Sequence, residues 1–266
     1  MTTAIRFKCQ SSLNCHEEVN LMKRREFVAL GAGASALAMT ETLRAAPLDD
    51  ATLLRRPVAN GRPLDAPASG KIKVAIAIAD GATVIDFAGP WEVFQDVMVP
   101  SRGNDHSEQM PFELFTVAAT AEPIRATAGL HIIPDHTVDN APQPDLVVVP
   151  ALRGSPALHE WLAAVAPETD VTMSVCTGAF QLARAGLLDG QIATTHHDFY
   201  DAFGKQFPKI QLERGLRFVE NERISTAGGL TSGIDLSLRV VERYFGRPVA
   251  QKTADYMEYT SQGWKV

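Results

Sequence analysis

The sequence predicts an α/β sandwich with a mainly parallel central sheet. From Lys71 onward, short β-rich runs alternate with segments of helical pattern, as expected for strands joined by crossover helices. The continuous apolar run DLVVVPA at 145–151 is typical of a central parallel strand that is buried on both faces. With 266 residues, 45% of them hydrophobic, the chain can bury the core of one sizeable domain.

In the first half of this domain, the pattern predicts two strands, one helix and one hairpin. The helix, GPWEVFQDVM, is expected to open at its Gly-Pro pair, because proline is tolerated in a first helical turn. The hairpin is centred on Gly129, in IRATAGLHIIPDHTV. The two strands are KIKVAIAIA at 71–79 and FELFTVAAT at 112–120.

The second half continues the alternation of helices and strands. Ser155 is a suitable N-cap for the helix SPALHEWLAAVA, which has Pro156 at its first position. Asp198 is the expected cap of a short helix in DFYDAFGKQF. The remaining predicted elements are a strand VTMSV, a helix at 177–185, a strand QIATTH, a hairpin LRFVENERISTA, and two closing helices at 231–245 and 248–259.

The N-terminal region has the features of an export signal. From Met22 the sequence reads MKRREFVALGAGASALAMTETLRAAP, with a twin-arginine pair, a short apolar stretch and small residues near Ala46. Translation is expected to begin at Met22, and export through the twin-arginine machinery would place the protein in the periplasm. We therefore divide the chain into a signal-bearing region 1–46, a Pro- and Gly-rich linker 47–70 and a domain 71–266.

Charge and cysteine content narrow the function classes. Residues 47–266 have 19 Lys and Arg against 27 Asp and Glu, a net charge of −8, and this acidic balance argues against direct nucleic-acid binding. The chain has no run of 18 uncharged apolar residues, so we expect no stable membrane insertion. Cys9 and Cys15 precede Met22, so an exported chain would retain only Cys176.

Cys176 is the candidate nucleophile. It lies in SVCTGAF, between a strand and a helix, and ligands of parallel α/β sheets bind at the carboxyl ends of the strands. A sharp strand-to-helix turn would project the thiol into that crevice, and the N–H groups of the helix N-terminus would favour a thiolate. The alternative interpretation is an inert, buried cysteine.

Three motifs carry a resemblance to a known family. SVCTGAFQLARAGLLDGQIATTH, IDFAGPWEVF and AGGLTSGIDLSL together resemble the DJ-1/PfpI superfamily over about residues 71–259, especially its isocyanide hydratase-like branch and the amidase-like domains of AraC-type regulators. The resemblance implies a flavodoxin-like three-layer sandwich with a strand-Cys-helix nucleophile elbow. It also implies a homodimer with the site near the interface.

The resemblance also assigns roles to individual residues. Cys176 matches the family nucleophile, and Asp86 matches the acid that hydrogen-bonds that cysteine in isocyanide hydratases. Thr177 matches the residue whose backbone N–H or hydroxyl faces the reacting atom, and His196 matches a histidine near the cysteine in several members. One departure is Pro150-Ala151-Leu152-Arg153-Gly154, which stands where the family commonly has Pro-Gly-Gly.

Three further features have plainer interpretations. Glu92 is expected to be a first-turn partner of the helix dipole rather than a catalyst, although it could stand in for Asp86. His196, His197 and Asp198 suggest a metal site, but adjacent strand residues point to opposite faces, so we expect neither a metal nor another cofactor. Gly228 and Gly229 are expected to mark close backbone approach beside the corner.

The sequence therefore predicts an exported, cysteine-dependent hydratase or hydrolase of a small molecule. An isocyanide, converted to an N-substituted formamide, and a glyoxal-type aldehyde are the two substrate classes that the resemblance implies. The alternatives are a non-catalytic ligand-binding domain like those of AraC-type regulators, without the helix-turn-helix, and a redox sensor that oxidises at Cys176. In the leading hypothesis the thiol and Asp86 share one proton, and the thiol pKa lies below its free value.

Overall fold

The computed structural model of the chain describes residues 58–266, and these form a layered α/β domain. Its central sheet has eight strands: β1 (Val58–Ala59), β2 (Ile72–Ala77), β3 (Phe112–Ala118), β6 (His136–Thr137), β7 (Leu146–Val149), β8 (Val171–Ser174), β11 (Phe218–Glu220) and β12 (Ile224–Ala227). Their order in the sheet is β1-β11-β12-β8-β7-β2-β3-β6. All neighbouring pairs are parallel except β11 with β12.

Two two-stranded sheets lie outside the central one. The predicted hairpin around Gly129 is β4 (Ile124–Arg125) paired antiparallel with β5 (His131–Ile132). The predicted strand QIATTH is reduced to β9 (Ile192–Ala193), which pairs parallel with β10 (Gln211–Leu212). The second predicted hairpin, β11 with β12, is part of the central sheet.

Helices cover the sheet. One group consists of α1 (Val84–Gln95), α6 (Ser232–Phe245) and α7 (Arg247–Tyr256), in which α6 packs on both of the others. The other group consists of α3 (Pro156–Val165) and α4 (Gly178–Arg184), which contact each other, and α4 also contacts β7 and β8. Shorter helices are α2 (His106–Gln109) and α5 (Tyr200–Gln206). All four residues of β7 are buried, as the sequence predicts for a strand covered on both faces. The mainly parallel three-layer α/β fold is confirmed.

Helix α1 begins earlier than the sequence predicts. Its first residue is Val84, so Pro90 lies inside the helix rather than opening it, and Asp86 falls in the first helical turn. Proline lacks the N–H that would bond to the carbonyl of Asp86. Close packing holds this segment on α6: a Cβ placed at Gly89 would lie 2.9 Å from Ile234 Cγ1. Tertiary contact therefore overrides the local proline signal.

The start of the described chain is attached to the sheet edge, although it lies in the segment predicted as a linker. Strand β1 pairs with β11, and Asn60 N–H donates to the Glu220 carbonyl at 3.2 Å. Leu64 N–H donates to the Arg243 carbonyl at 2.8 Å. The expected twin-arginine signal, the Met22 start, Cys9 and Cys15 lie outside the described residues. Within residues 58–266, no helix is long and apolar enough to cross a membrane.

Candidate active site

Cys176 lies on a tight corner between β8 and α4. Its φ of 59° is in the left-handed region, which non-glycine residues adopt only at a cost of roughly 1–2 kcal/mol. The next turn needs glycine for another reason: a Cβ at Gly178 would lie 2.0 Å from the carbonyl oxygen of Val149. The strand-Cys-helix elbow expected from the sequence is therefore present, and its backbone is constrained on both sides of the thiol.

Three neighbouring segments fix this corner by hydrogen bonds. Cys176 N–H donates to the Gly228 carbonyl at 2.6 Å, and Val175 N–H donates to the Val149 carbonyl at 3.0 Å. The Thr195 hydroxyl donates to the Cys176 carbonyl at 2.9 Å. The close backbone approach predicted beside the corner is confirmed at Gly228. Because the corner is bonded to three chain segments, the sulfur has a defined position.

The carboxyl group that meets the thiol is that of Asp86. This side chain is completely buried, and its Oδ2 accepts a hydrogen bond from Ala151 N–H at 3.1 Å. Within residues 58–266, its Oδ1 has no hydrogen-bond partner at ordinary distance. The groups that act on the carboxyl besides Ala151 are the Cys176 thiol and the backbone N–H of Leu230. Asp86 therefore has one oxygen held by the backbone and one free to exchange a proton.

Burial controls the ionisation of both groups. It raises the pKa of the Asp86 carboxyl from 3.8 to about 6, although the Ala151, Cys176 and Leu230 donors act against it. Burial, followed by the negative charge of Asp86, raises the pKa of the Cys176 thiol from 9.0 to about 11, although the Thr177 and Leu230 N–H groups lower it. At neutral pH the carboxyl is ionised and the sulfur keeps the proton.

The raised pKa of the Cys176 thiol is opposite to the lowered thiol pKa predicted from the sequence. The expected lowering by backbone N–H groups is present, since the Thr177 N–H acts in that direction, but desolvation outweighs it. The Cys176 residue is only 7% exposed. A thiol at a helix N-terminus is acidified when water also solvates the thiolate, and here little water reaches the sulfur.

The other two predicted site residues lie beside the pair in different ways. Thr177 is the N-cap of α4, and it lines a surface hollow with Phe180, Gln181, Arg184 and Phe199. His196 packs against Gly229, where a Cβ would lie 2.3 Å from its Cδ2 atom. Its Nδ1 accepts a hydrogen bond from Asp198 N–H at 3.2 Å, so His196, and not the expected Asp198, caps the turn that precedes α5. His196 is thus a neighbour of the corner whose ring is engaged elsewhere.

Two N–H groups of the segment that departs from Pro-Gly-Gly are already bonded within the fold. Ala151 N–H is used by Asp86, and Arg153 N–H donates to the Asp80 carbonyl at 3.1 Å. Leu152 is 9% exposed, and its carbonyl accepts from the Gln181 side chain. The segment therefore serves first to hold Asp86, which leaves the N–H groups of Leu152 and Thr177 as candidates for binding a ligand.

His196 and His197 do not lie in a strand, so the expectation that their rings point to opposite faces was wrong. His196 is the N-cap of a short turn of 3-10 helix that begins at His197, and the two rings stack with centroids 4.4 Å apart. With Asp198 they bring three possible ligand atoms within 4.8 Å of one another, on a mostly exposed surface. Glu92 is exposed and accepts a hydrogen bond from Gln95, which agrees with the preference for Asp86 over Glu92. The expected first-turn dipole role was wrong, because α1 begins at Val84 and Glu92 lies in its last turn.

Sequence reasoning missed Leu230 and Thr195. Leu230 has a φ of 53°, and its N–H acts on both the carboxyl and the thiol. The preceding Gly-Gly pair was a usable signal for this turn, but only for its backbone and not for its contacts. Thr195 has no distinguishing sequence signal, because a buried threonine at the end of a short strand is common.

The fold and the corner define a flavodoxin-like α/β protein with a cysteine at a strand-to-helix turn beside a buried acid. The DJ-1/PfpI family profile matches residues 72–243, and the chain belongs to this family. The chain is also similar to a crystal structure of a ThiJ/PfpI family protein from Pseudomonas syringae, with a TM-score of 0.61 and 26% identity over 74% of this chain and 78% of that one.

Two curated relatives differ in what their names describe. One is the HTH-type transcriptional regulator GbdR of Pseudomonas aeruginosa, which is 28% identical over 70% of this chain and 50% of its own length. The other is the isonitrile hydratase of Pseudomonas putida, which is 32% identical over 52% of this chain and 61% of its own length. The chain spans about half the length of the regulator. The family is therefore shared by an enzyme and by regulators.

Proposed function

We propose that this protein is a cysteine-dependent hydratase or hydrolase of a small molecule, and that an isocyanide is its substrate class. The observation that carries the proposal is the buried pair of Cys176 and Asp86, in which one carboxylate oxygen has no other partner of ordinary distance among the described residues. A carboxyl that serves only structure is normally hydrogen-bonded on both oxygens. Export of the mature protein to the periplasm and a homodimer remain predictions.

The ionisation order supports a specific proton path. Because Asp86 is the ionised member of the pair at neutral pH, it would act as the general base that takes the thiol proton when the sulfur attacks. The thiolate would then form only during the reaction. This differs from a pre-formed thiolate and predicts that the unliganded enzyme alkylates slowly.

The isocyanide reaction balances with these two residues and one water. The sulfur of Cys176 bonds to the terminal carbon, and the proton that passed to Asp86 is delivered to the same carbon, giving a thioimidate. Water adds to that carbon, and the carbon–sulfur bond breaks. Of the two protons that water supplies, one ends on the nitrogen and the other returns to the sulfur, which restores the Cys176 thiol. The net change is addition of one water to give an N-substituted formamide.

Access to the sulfur favours a slim reactive group on an apolar body. Cys176 is almost completely buried, so a linear isocyanide head can reach it more easily than a branched carbonyl. Ile85 precedes Asp86 in the chain, and the N–H of Leu230 acts on the pair; both side chains are more than a third exposed and offer apolar surface. An α-oxoaldehyde is the second substrate class that the same thiol and carboxyl could serve.

A second candidate function is non-catalytic ligand binding. It is favoured by Leu152 and Arg153, which place a bulky and a charged residue where the family commonly has glycine, and by the similarity to GbdR. In this case the raised thiol pKa would be a consequence of a closed pocket and not part of a reaction.

Turnover of purified protein separates the two candidates. Alkyl and aryl isocyanides and methylglyoxal are incubated with the wild-type protein, with Cys176→Ala and with Asp86→Asn, and products are quantified by NMR. Formamide production should vanish in Cys176→Ala and fall by about 10²–10⁴-fold in Asp86→Asn, the usual contribution of a general base. Glu92→Gln is the matched control, because Glu92 is an exposed acid on the same helix.

Iodoacetamide alkylation of Cys176 tests the base role independently. Removing the negative charge of Asp86 should lower the thiol pKa and therefore speed alkylation, while the same variant turns over more slowly. If Asp86→Asn turns over at the wild-type rate, the carboxylate is not acting as a base towards the thiol. Saturable binding of the isocyanide without product would establish the ligand-binding candidate instead.

A further inference from the structure

A turn at residues 228–231 links the reactive corner to the end of the chain. Gly228 accepts the Cys176 N–H through its carbonyl at 2.6 Å, and its own N–H donates to the Arg217 carbonyl at 2.9 Å. Ser232 then begins helix α6, and its N–H donates to the Gly229 carbonyl at 3.1 Å. The turn is thus one wall of the site, and its shape decides where the Leu230 N–H points.

Leu230 needs outside support to keep that shape. Its φ of 53° places a bulky side chain in the left-handed region, which is unfavourable for any residue other than glycine. In this conformation the Leu230 N–H acts on both the Asp86 carboxyl and the Cys176 thiol. Relaxation of the turn would therefore move a donor away from the reacting pair.

A cluster of polar side chains supplies the support. The Arg217 guanidinium binds the completely buried Asp235 carboxylate at 2.5 Å through Nε and donates to the Thr231 hydroxyl at 3.2 Å through Nη2. The Tyr259 hydroxyl lies 3.1 Å from Asp235 Oδ1 and 3.4 Å from the Thr231 carbonyl oxygen. We call these four residues, Arg217, Thr231, Asp235 and Tyr259, the turn clamp.

Among the four residues of the turn clamp, Tyr259 is the one that can be altered with the least disturbance to the rest of the structure. Its single hydroxyl proton can serve one acceptor at a time, and the charged Asp235 is the stronger one. The same oxygen accepts from Arg217 Nη2 at 3.4 Å. Replacing the hydroxyl by hydrogen thus removes one of the donors to Asp235 Oδ1 and one of the acceptors of Arg217 Nη2, and it leaves all formal charges unchanged.

We propose that Tyr259, with Asp235, is a positioning residue of the active site: the turn clamp fixes Leu230 so that its backbone N–H faces Cys176 and Asp86. The inference rests on the proposed function in that it concerns the same thiol. It adds that residues from the C-terminal segment, which do not touch the sulfur, set its reactivity.

The test is the alkylation rate of Cys176 in Tyr259→Phe, measured in the full-length protein between pH 7 and 9. The Cys176 peptide is followed by mass spectrometry, because the chain has two other cysteines, Cys9 and Cys15. Loss of the Leu230 donor raises the thiol pKa, and we expect a rate about threefold below wild type at each pH, equivalent to about half a pKa unit. Turnover should fall in parallel.

Two further variants keep the test decisive. Tyr256→Phe is the matched control, because Tyr256 is 73% exposed at the end of α7, and it should alkylate at the wild-type rate. Thr231→Val removes the acceptor of Arg217 at an exposed position, so it should fold normally and shift the rate in the same direction. Wild-type rates in both Tyr259→Phe and Thr231→Val would overturn the proposal.

The outcome is independent of the substrate. If no isocyanide or aldehyde is turned over, the proposed function fails, while the alkylation comparison still decides whether the turn clamp controls the thiol. Equal slowing in Tyr256→Phe and Tyr259→Phe would also overturn the proposal, because it would show a general effect of the C-terminal helix.

Discussion

Two buried aspartates near the reactive corner, Asp86 and Asp235, differ in how fully their carboxylates are hydrogen-bonded. Each is completely buried and lies in the first turn of a helix. Asp235 is bound by three side chains, those of Arg217, Tyr259 and Ser261. Asp86 has one backbone hydrogen bond of ordinary length and an oxygen directed to a weakly polar thiol.

The difference shows where the fold allows an unfavourable charge. A buried carboxylate is tolerated when donors and an opposite charge replace the lost water, as at Asp235. At Asp86 this replacement is incomplete, and the pKa rises as a result. The first aspartate stabilises the wall of the site, whereas the second keeps a proton acceptor available inside it. Three changes would test this contrast.

The largest effect is expected for Arg217→Ala. Removing the guanidinium leaves the Asp235 carboxylate buried without its cation, and breaking a buried ion pair in this way costs about 3–5 kcal/mol of unfolding free energy. Urea denaturation followed by circular dichroism measures the loss. Lys209→Ala removes an exposed ion pair with Asp189 and should leave the midpoint unchanged. If Arg217→Ala left the unfolding free energy nearly unchanged, Asp235 would be stabilised mainly by its hydroxyl donors.

An intermediate, pH-dependent effect is expected for Asp86→Asn. Because the folded-state pKa of Asp86 is raised from 3.8 to about 6, the folded protein binds more protons than the unfolded chain in this window. The wild type therefore loses stability as the pH rises from about 4 to about 6, and the loss amounts to about 3 kcal/mol. The Asp86→Asn variant has no such loss, so above pH 6 its unfolding free energy should increase relative to that of the wild type.

Urea unfolding at pH 4 and at pH 7.5 measures this difference. Glu92→Gln, on the exposed side of the same helix, should follow the wild type at both pH values. A stability difference between wild type and Asp86→Asn that is the same at the two pH values would contradict a raised pKa. The gain should coincide with loss of turnover, as expected where an active site is built at the expense of stability.

The smallest effect is expected for Ser261→Ala. The Ser261 hydroxyl is one of three donors to Asp235, at 3.0 Å from Oδ1, and two donors remain after its removal. We expect a loss of about 1 kcal/mol in unfolding free energy, the usual net contribution of one hydrogen bond. Ser101→Ala, at an exposed position, is the control. A loss of unfolding free energy as large as that of Arg217→Ala would show that the remaining donors cannot compensate for the loss of one hydrogen bond to Asp235.

The fold was predictable because its signals are local. The alternation of strands and helices, the apolar run of β7 and the Ser155 cap all follow from short-range patterns, and Ser155 does accept the Leu158 N–H at 3.2 Å. The exception is α1, where a proline that normally marks a helix start lies in the interior. Packing against α6 decided that boundary, and such packing is not visible in a window of ten residues.

The candidate site was predictable only in part. Cys176 and Asp86 were found from motifs, and the structure brings them together, but the direction of the thiol pKa depends on how much water reaches the sulfur. Burial depends on the whole fold and not on neighbouring letters. The turn clamp was missed for a similar reason, since Arg217 and Tyr259 are 42 residues apart and neither belongs to a recognisable motif.

The left-handed backbone at Cys176 also restricts what can replace the nucleophile. Alanine and serine would inherit the unfavourable φ of 59°, whereas glycine adopts this conformation freely. A glycine at this corner therefore has the lowest backbone cost of the inactive replacements, and it vacates the volume of the whole side chain beside Asp86. Such a variant is suited to capturing an unreacted ligand for crystallography, because the cavity would be widened at the point where the bond to sulfur forms.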